Sequence, residues 1–313
     1  MSAWQDARVL VTGGAGFIGS HVVEAFTALG AHLTITDTSV ERFERNLGHV
    51  QPQPAMEWGD LGELLRAGRL NLADYAVIVH LSGNPYIPPS VENPAYDFDR
   101  NLQTTFALLE AVRTLPAQRP AVIYASSAAV YGEPARLPVH ESDPLVPISP
   151  YGVSKMAAER YLAVYCRLYG LRGASLRFFS VYGPRQRKQV IYDLLVKLTS
   201  QPDRVEIHGD GTQERDFCHV QDVVGALLAV LERAPLRGEA YNVASGQSRS
   251  INDVLRAWCD LLGVQPQVAY SGAIRPGETD KWSVSIDALR ALGYAPQVRF
   301  EDGLRGILDW YRG

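Results

Sequence analysis

"VLVTGGAGFIGSHVVEAF", Val9 to Phe26, decides the fold of this 313-residue chain. Apolar and β-branched residues come first, then a glycine-rich turn, then apolar positions at helical spacing. That order is a strand, a tight turn and an amphipathic helix. Gly14, Gly16 and Gly19 satisfy G-x-G-x-x-G, and Gly13, Gly16 and Gly19 equally satisfy G-x-x-G-x-x-G. Such glycines allow the turn and let a pyrophosphate approach the backbone at the helix start, where free N–H groups and the helix dipole favour an anion. The motif therefore predicts a dinucleotide site, with Gly13, Gly16 and Gly19 as its contacts.

Asp37 lies eighteen residues after Gly19, at the end of a second apolar run, "LTITDTS". A carboxylate there can accept hydrogen bonds from ribose hydroxyls and repels a 2′-phosphate, so NAD is expected rather than NADP. A turn or capping role for Asp37 is the plainer alternative. Strands are expected at Arg8–Thr12, His32–Thr36, Val77–Leu81, Ala121–Ala125 and Gly173–Phe178. Helices are expected at Ile18–Leu29, near Tyr96–Leu115 and at Tyr151–Leu168. This alternation predicts an α/β fold, a doubly wound parallel sheet of Rossmann type. After Gly183 the rhythm turns to Gly- and Pro-punctuated pieces, which predicts a smaller C-terminal α/β lobe. The NAD-binding domain is expected at 1–182 and 222–245, and the second lobe at 183–221 and 246–313.

Composition narrows the class. Net charge is −4 with a pI near 6.0, which leaves no electrostatic footprint for nucleic acid. No apolar run approaches the roughly 20 residues that span a bilayer. The first strand begins almost at once, leaving no room for a signal peptide. Cys166, Cys218 and Cys259 are widely spaced and lack C-x-x-C spacing. A reduced, soluble, cytoplasmic protein without a metal centre is expected.

"SPYGVSK", Ser149 to Lys155, carries the chemistry. Ser149 suits an N-cap and Pro150 the first helical position, so Tyr151 and Lys155 fall one turn apart on one helix face. A nearby ammonium favours a phenolate, and such a base can take an alcohol proton while the hydride on the same carbon leaves for nicotinamide. Among fifteen tyrosines the spacing alone is not decisive. The glycine turn together with the Tyr-x-x-x-Lys pair resembles the extended short-chain dehydrogenase/reductase family, in its nucleotide-sugar epimerase and dehydratase branch. The resemblance runs over essentially the whole chain, through "TGGAGFIGS", Asp60-Leu61, "VIVHLSG", "DRNLQTT", "YASSAAVYG", "SPYGVSK", "LRFFSVYGPRQR", "ERDFCHVQDVV", "NVASG" and "RPGE".

The resemblance implies roles. Tyr151 is the catalytic base, Lys155 its electrostatic partner, and Ser127 the hydroxyl that holds the reacting oxygen. Asp60 and Leu61 match adenine contacts. Phe17, Ile18, Leu81, Ser82, Asn101 and Phe178 match the cofactor pocket. Arg215 and Arg275 match arginines that grip the sugar nucleotide and its diphosphate. Asn84 stands where galactose-type epimerases carry a lysine. Ala128 and Ala129 stand where 4,6-dehydratases carry an Asp-Glu pair, so chemistry needing a second acid or base there is disfavoured. Ser180 and Arg187 match the threonine and arginine with which UDP-glucuronate 4-epimerases anchor the sugar carboxylate. The implied activity is NAD-dependent 4-epimerisation of a UDP-sugar, a UDP-hexuronic acid first and a neutral UDP-hexose second. A one-way 4-keto reductase or dehydrogenase and a non-catalytic dinucleotide sensor are the alternatives. The family pairs through the helices after Asn101 and Tyr151, and the surplus apolar surface at Tyr161, Leu162, Tyr165, Leu168 and Tyr169 suits a homodimer.

Overall fold

The computed structural model describes residues 2–116, 119–272 and 281–313. Its strands are β1 Arg8–Thr12, β2 His32–Asp37, β3 Ala55–Trp58, β4 Val77–His80, β5 Ala121–Ser127, β6 Gly173–Phe178, β7 Ser180–Tyr182, β8 Arg204–Ile207, β9 Glu214–His219, β10 Arg237–Val243, β11 Ser248–Ser250 and β12 Gln267–Tyr270. Seven of them form one parallel sheet in the order β10-β6-β5-β4-β1-β2-β3. The order reverses between β1 and β4, which opens a crevice at the carboxyl ends of those strands.

The apolar runs become strands because both faces of this sheet are covered. Along β1, Val9 and Val11 enter the core on one face and Leu10 enters the core on the other, as the two-residue period requires. Helix Val220–Arg233 packs beside helix Phe17–Ala28 on the first face. Leu108, Leu109 and Leu162 close the second face, from helices Thr104–Arg113 and Pro150–Tyr169. β10 then returns the chain to the sheet beside β6. A third apolar cluster, around Trp258, Leu195, Ile207 and Leu304, is built from segments after Gly183, joined by Tyr182. Two small sheets accompany it, β11-β9-β7 and β12-β8.

The five strands expected from sequence are present to within two residues at their ends. The helix expected near Tyr96–Leu115 is instead a short helix, Pro94–Asp97, a π-helical stretch, Phe98–Gln103, and helix Thr104–Arg113. Among the described residues no helix is long and apolar enough to cross a membrane.

Candidate active site

The glycine turn lies where β1 ends. Gly13 has φ +69°, and a Cβ there would come within 3.0 Å of the Ser82 backbone nitrogen. Gly19 is the tightest position, since a Cβ would sit 2.3 Å from the Gly13 carbonyl. Gly16 begins helix Phe17–Ala28, and no side chain caps that end. Phe17 and Ile18 thus open the helix with N–H groups aimed out of its first turn. The turn has the bare backbone and the electropositive end that a pyrophosphate needs.

Asp37 is buried at the end of β2, where its carboxylate accepts from the Ala15 N–H at 3.1 Å and from Arg42 at 2.8 Å. Arg42, five residues further on, belongs to none of the sequence motifs. Asp60 caps helix Leu61–Arg66 by accepting from the Gly62 N–H at 3.0 Å, and it pairs with Arg100. Leu61 is buried in the second core, and Leu81 packs against the first. Ser82 follows β4, its hydroxyl 3.3 Å from His80 Nδ1. Phe178 ends β6 and is buried. Asn101 is buried within the π-helical stretch, donating to the Asn84 carbonyl at 3.2 Å and to Asp97 at 2.8 Å. The sequence-expected cofactor residues that bound the crevice therefore come from the ends of β1, β2 and β4. Their chemistry fits NAD: bare glycine backbone for the diphosphate and a carboxylate for the ribose.

Helix Pro150–Tyr169 starts as its sequence predicts. Ser149 accepts from the Gly152 N–H at 3.1 Å, Pro150 takes the first position, and the Tyr151 N–H donates to Ser90 Oγ at 3.2 Å. Tyr151, Lys155 and Glu159 then follow at successive turns of one face, and all three are buried. Arg177 of β6 grips Glu159 through three hydrogen bonds of 2.8–3.2 Å and also donates to the Tyr131 hydroxyl at 2.7 Å. That buried pair ties the helix to the sheet.

The Tyr151 phenol has the Ser127 side chain, at the end of β5, within its reach. Lys155 donates to the Ala125 carbonyl at 2.8 Å, with its ammonium 5.7 Å from the centre of the Tyr151 ring. Burial pushes the Tyr151 phenol up to about 12, the Ser127 hydroxyl opposes the rise, and the charge of Asp97 adds to it. Burial pulls Lys155 down to about 8, against the charges of Asp97 and then Glu159. Ala128 and Ala129 form the short turn after Ser127 and bring no ionisable group.

The other expected residues are more dispersed. Ser180 begins β7, half-buried, in register with Phe217. Arg187 is exposed, with its guanidinium 5.1 Å above the Trp310 ring of the C-terminal helix. Arg215 lies on β9, half-buried, and donates to the Glu214 carbonyl at 2.9 Å. Arg275 lies outside the described residues. Lys188, beside Arg187, rests 4.6 Å above the Tyr86 ring, so two cations in succession are held by aromatic faces.

The model of the NAD dependent epimerase/dehydratase family matches residues 9–244. The chain belongs to that family. It is 34% identical to the UDP-glucose 4-epimerase of Azospirillum brasilense, over 97% of this chain and 92% of the relative. The UDP-glucose 4-epimerase of Thermus thermophilus, solved with NAD, is 34% identical with a TM-score of 0.85, covering 98% of this chain and 99% of that one. The UDP-glucuronic acid 4-epimerase of Bacillus cereus, solved with UDP-glucuronic acid and NAD, is 28% identical with a TM-score of 0.85, covering 97% and 99%. The family's matched segment ends one residue past β10, so it spans every strand of the large sheet.

Proposed function

We propose that the protein is an NAD-dependent UDP-sugar 4-epimerase. The observation that carries this reading is the buried Tyr151 in the first turn of helix Pro150–Tyr169, with Ser127 at the end of β5 in its reach and the buried Lys155 one turn further along the same face, anchored on Ala125. Gly13, Gly16, Gly19 and Asp37 would hold NAD, which would supply reversible hydride acceptance at the sugar's C4. Tyr151 takes the proton of the C4 hydroxyl and later gives it back, while Ser127 holds the same oxygen. Lys155 supplies positive charge from its anchor on Ala125. Ala128 and Ala129 cannot move a proton, which confines the site to oxidation and re-reduction of one carbinol. In this reading 1–182 and 222–245 form the NAD-binding domain, and 183–221 and 246–313 the sugar-nucleotide lobe, with Arg215 and Arg275 toward the diphosphate.

The substrate is a UDP-hexuronic acid first and a neutral UDP-hexose second, on the strength of Ser180 and Arg187. A second copy of the chain covers Phe106, Tyr161, Val164, Leu168 and Tyr169, which are exposed apolar residues on two neighbouring helices. The three cysteines are free thiols, which suits the cytoplasm. The deciding experiment is incubation of the purified protein with UDP-glucose, UDP-galactose and UDP-glucuronate, without added cofactor, followed by analysis for C4 epimers. Conversion only with stoichiometric added dinucleotide would instead indicate a one-way 4-keto reductase or dehydrogenase.

A further inference from the structure

Arg185 belongs to the run "LRFFSVYGPRQR", two residues before Arg187, yet its side chain is spent on the dinucleotide helix. Its guanidinium donates to both carboxylate oxygens of Glu24, reaching Oε2 at 3.0 Å, and to Ser20 Oγ at 3.1 Å. Both partners stand one turn apart on helix Phe17–Ala28, which opens at the glycine turn. His21 of the same helix donates to the Pro184 carbonyl at 3.1 Å. His49, just past helix Val40–Leu47, lies 2.7 Å from Glu24 Oε1. Burial works against the charge of Glu24, but Arg185 and then His49 hold its carboxyl below the ordinary range. A forked pair of this kind fixes the direction of the guanidinium as well as its distance.

The loop that carries Arg185 needs such an anchor. Arg185 has φ +74° and Gln189 has φ +70°, left-handed conformations that a residue with a side chain keeps only when its surroundings enforce them. Between them Gln186 is buried and donates to the Val181 carbonyl at 2.8 Å. Arg187 and Lys188 follow, both exposed, held over the rings of Trp310 and Tyr86 at 5.1 and 4.6 Å. Trp310 belongs to helix Phe300–Arg312, and Tyr86 to the segment after β4. Cation–ring contacts at exposed sites are weak. The place of the two cations is therefore set by their backbone, and that backbone is fastened at Arg185.

We propose that Glu24 and Arg185 are positioning residues for sugar-nucleotide binding: their ion pair fastens the loop 183–189 to the dinucleotide helix and so sets where Arg187 and Lys188 stand. The proposal rests on the reading of that loop as sugar-facing. Neither member of the pair touches the reacting atoms. Glu24 also neutralises Arg185, which leaves Arg187 and Lys188 as the cations that the loop offers to an anionic substrate.

The test is Glu24→Gln, Arg185→Met and the double variant, each with NAD saturating. Amide deuterium exchange across 183–189 reads the loop. The KM and kcat for the better of UDP-glucuronate and UDP-glucose read the site. Exchange in that segment is expected to rise in all three variants, while β1 and β5 stay protected. KM should rise about tenfold with kcat held, as when ground-state contacts of charged groups are lost. The double variant should lose no more than the worse single one, because the two residues act as one pair. Unchanged exchange across the loop, or additive losses in the double variant, would overturn the proposal. So would faster exchange or weaker NAD binding with an unmoved KM, since the pair would then serve only stability or the cofactor. Calorimetric binding of UDP-glucuronate needs no turnover. If the unaltered protein epimerised neither sugar, the epimerase reading would fall, and the presence or absence of a binding loss in the variants would still decide the role of the pair.

Discussion

Lys155 gives its ammonium to the Ala125 carbonyl, two residues before Ser127 on the same strand. β5 thereby holds both the hydroxyl within reach of the Tyr151 phenol and the carbonyl that anchors the cation. The ammonium stands 5.7 Å from the centre of the Tyr151 ring, so any influence on the phenol comes through its field rather than through a bond to the phenol oxygen. Lys155→Met should therefore raise the phenol further, since the cation that favours the phenolate is gone. The acid limb of the pH–rate profile should move to higher pH. The limb set by loss of the lysine proton near pH 8 should vanish. A profile with both limbs in place would exclude Lys155 from the proton chemistry.

Tyr151→Phe should keep the fold, because the ring fills the same buried space and only the phenol oxygen beside Ser127 is lost. Turnover should drop on the order of 10² or more, as removal of a general base requires. Retained NAD and an unchanged melting curve would separate this loss from misfolding. Near-normal turnover would end the mechanism.

The cofactor end carries a second charge pair. Asp37 should make NAD preferred, but Arg42 stands 2.8 Å from the same carboxylate. Asp37→Ala removes the repulsion of a 2′-phosphate and leaves that guanidinium unpaired beside the ribose site. NADP should gain on NAD by about tenfold or more, equivalent to ~1.4 kcal/mol. Arg42→Ala should move the ratio the other way. Calorimetric titration of both dinucleotides measures it, and tighter NADP binding by the unaltered protein would contradict the role given to Asp37.

Arg177→Met should destabilise the protein strongly. Both members of the pair are almost wholly buried, with side chains 4% and 5% exposed. Removing one leaves the Glu159 carboxylate uncompensated, at a cost of about 3–5 kcal/mol. Urea denaturation would show it as a lower midpoint at unchanged slope. A loss below ~1 kcal/mol would mean that the carboxylate finds another partner or takes up a proton.

The dinucleotide half of this molecule is legible in its sequence because its signals are local. A glycine cradle, a carboxylate at a strand end and a capped helix each announce themselves within a few residues. Nothing comparable marks β3 and β10. "AMEW" is an edge strand with no buried residue, and "RGEAYNV" owes its place to the free edge of β6 rather than to its own pattern. The break in the helix around Phe98–Gln103 has no sequence signal either. Glu24 carries no sequence signal of its own, and its meaning comes only from what surrounds it. The same holds for Arg42 beside Asp37 and for the Ala125 carbonyl beneath Lys155.

The last prediction concerns the sugar. The Arg187 guanidinium carbon lies over Trp310, 5.1 Å from the ring centre, and its guanidinium has no hydrogen bond or ion pair among the described residues. A cation held over a ring in this way keeps N–H donors for a carboxylate or phosphate. Ser180, seven residues earlier, adds a hydroxyl donor on β7. A sugar bearing a carboxylate at C6 needs such an anchor for a chemical reason. Once its C4 is oxidised it is a β-keto acid, and it can lose CO₂ when the carboxylate aligns with the carbonyl π system. Hydrogen bonds from Ser180 and charge from Arg187 would hold it out of that alignment. UDP-glucuronate should accordingly be turned over with a higher kcat/KM than UDP-glucose or UDP-galactose. Arg187→Ala should lose about tenfold or more on the acid alone, the worth of a charged hydrogen bond, and should release some decarboxylated product. Trp310→Ala should act in the same direction by freeing the arginine. Faster turnover of the neutral sugars, or an equal loss on acid and neutral substrates in Arg187→Ala, would assign the site to a UDP-hexose.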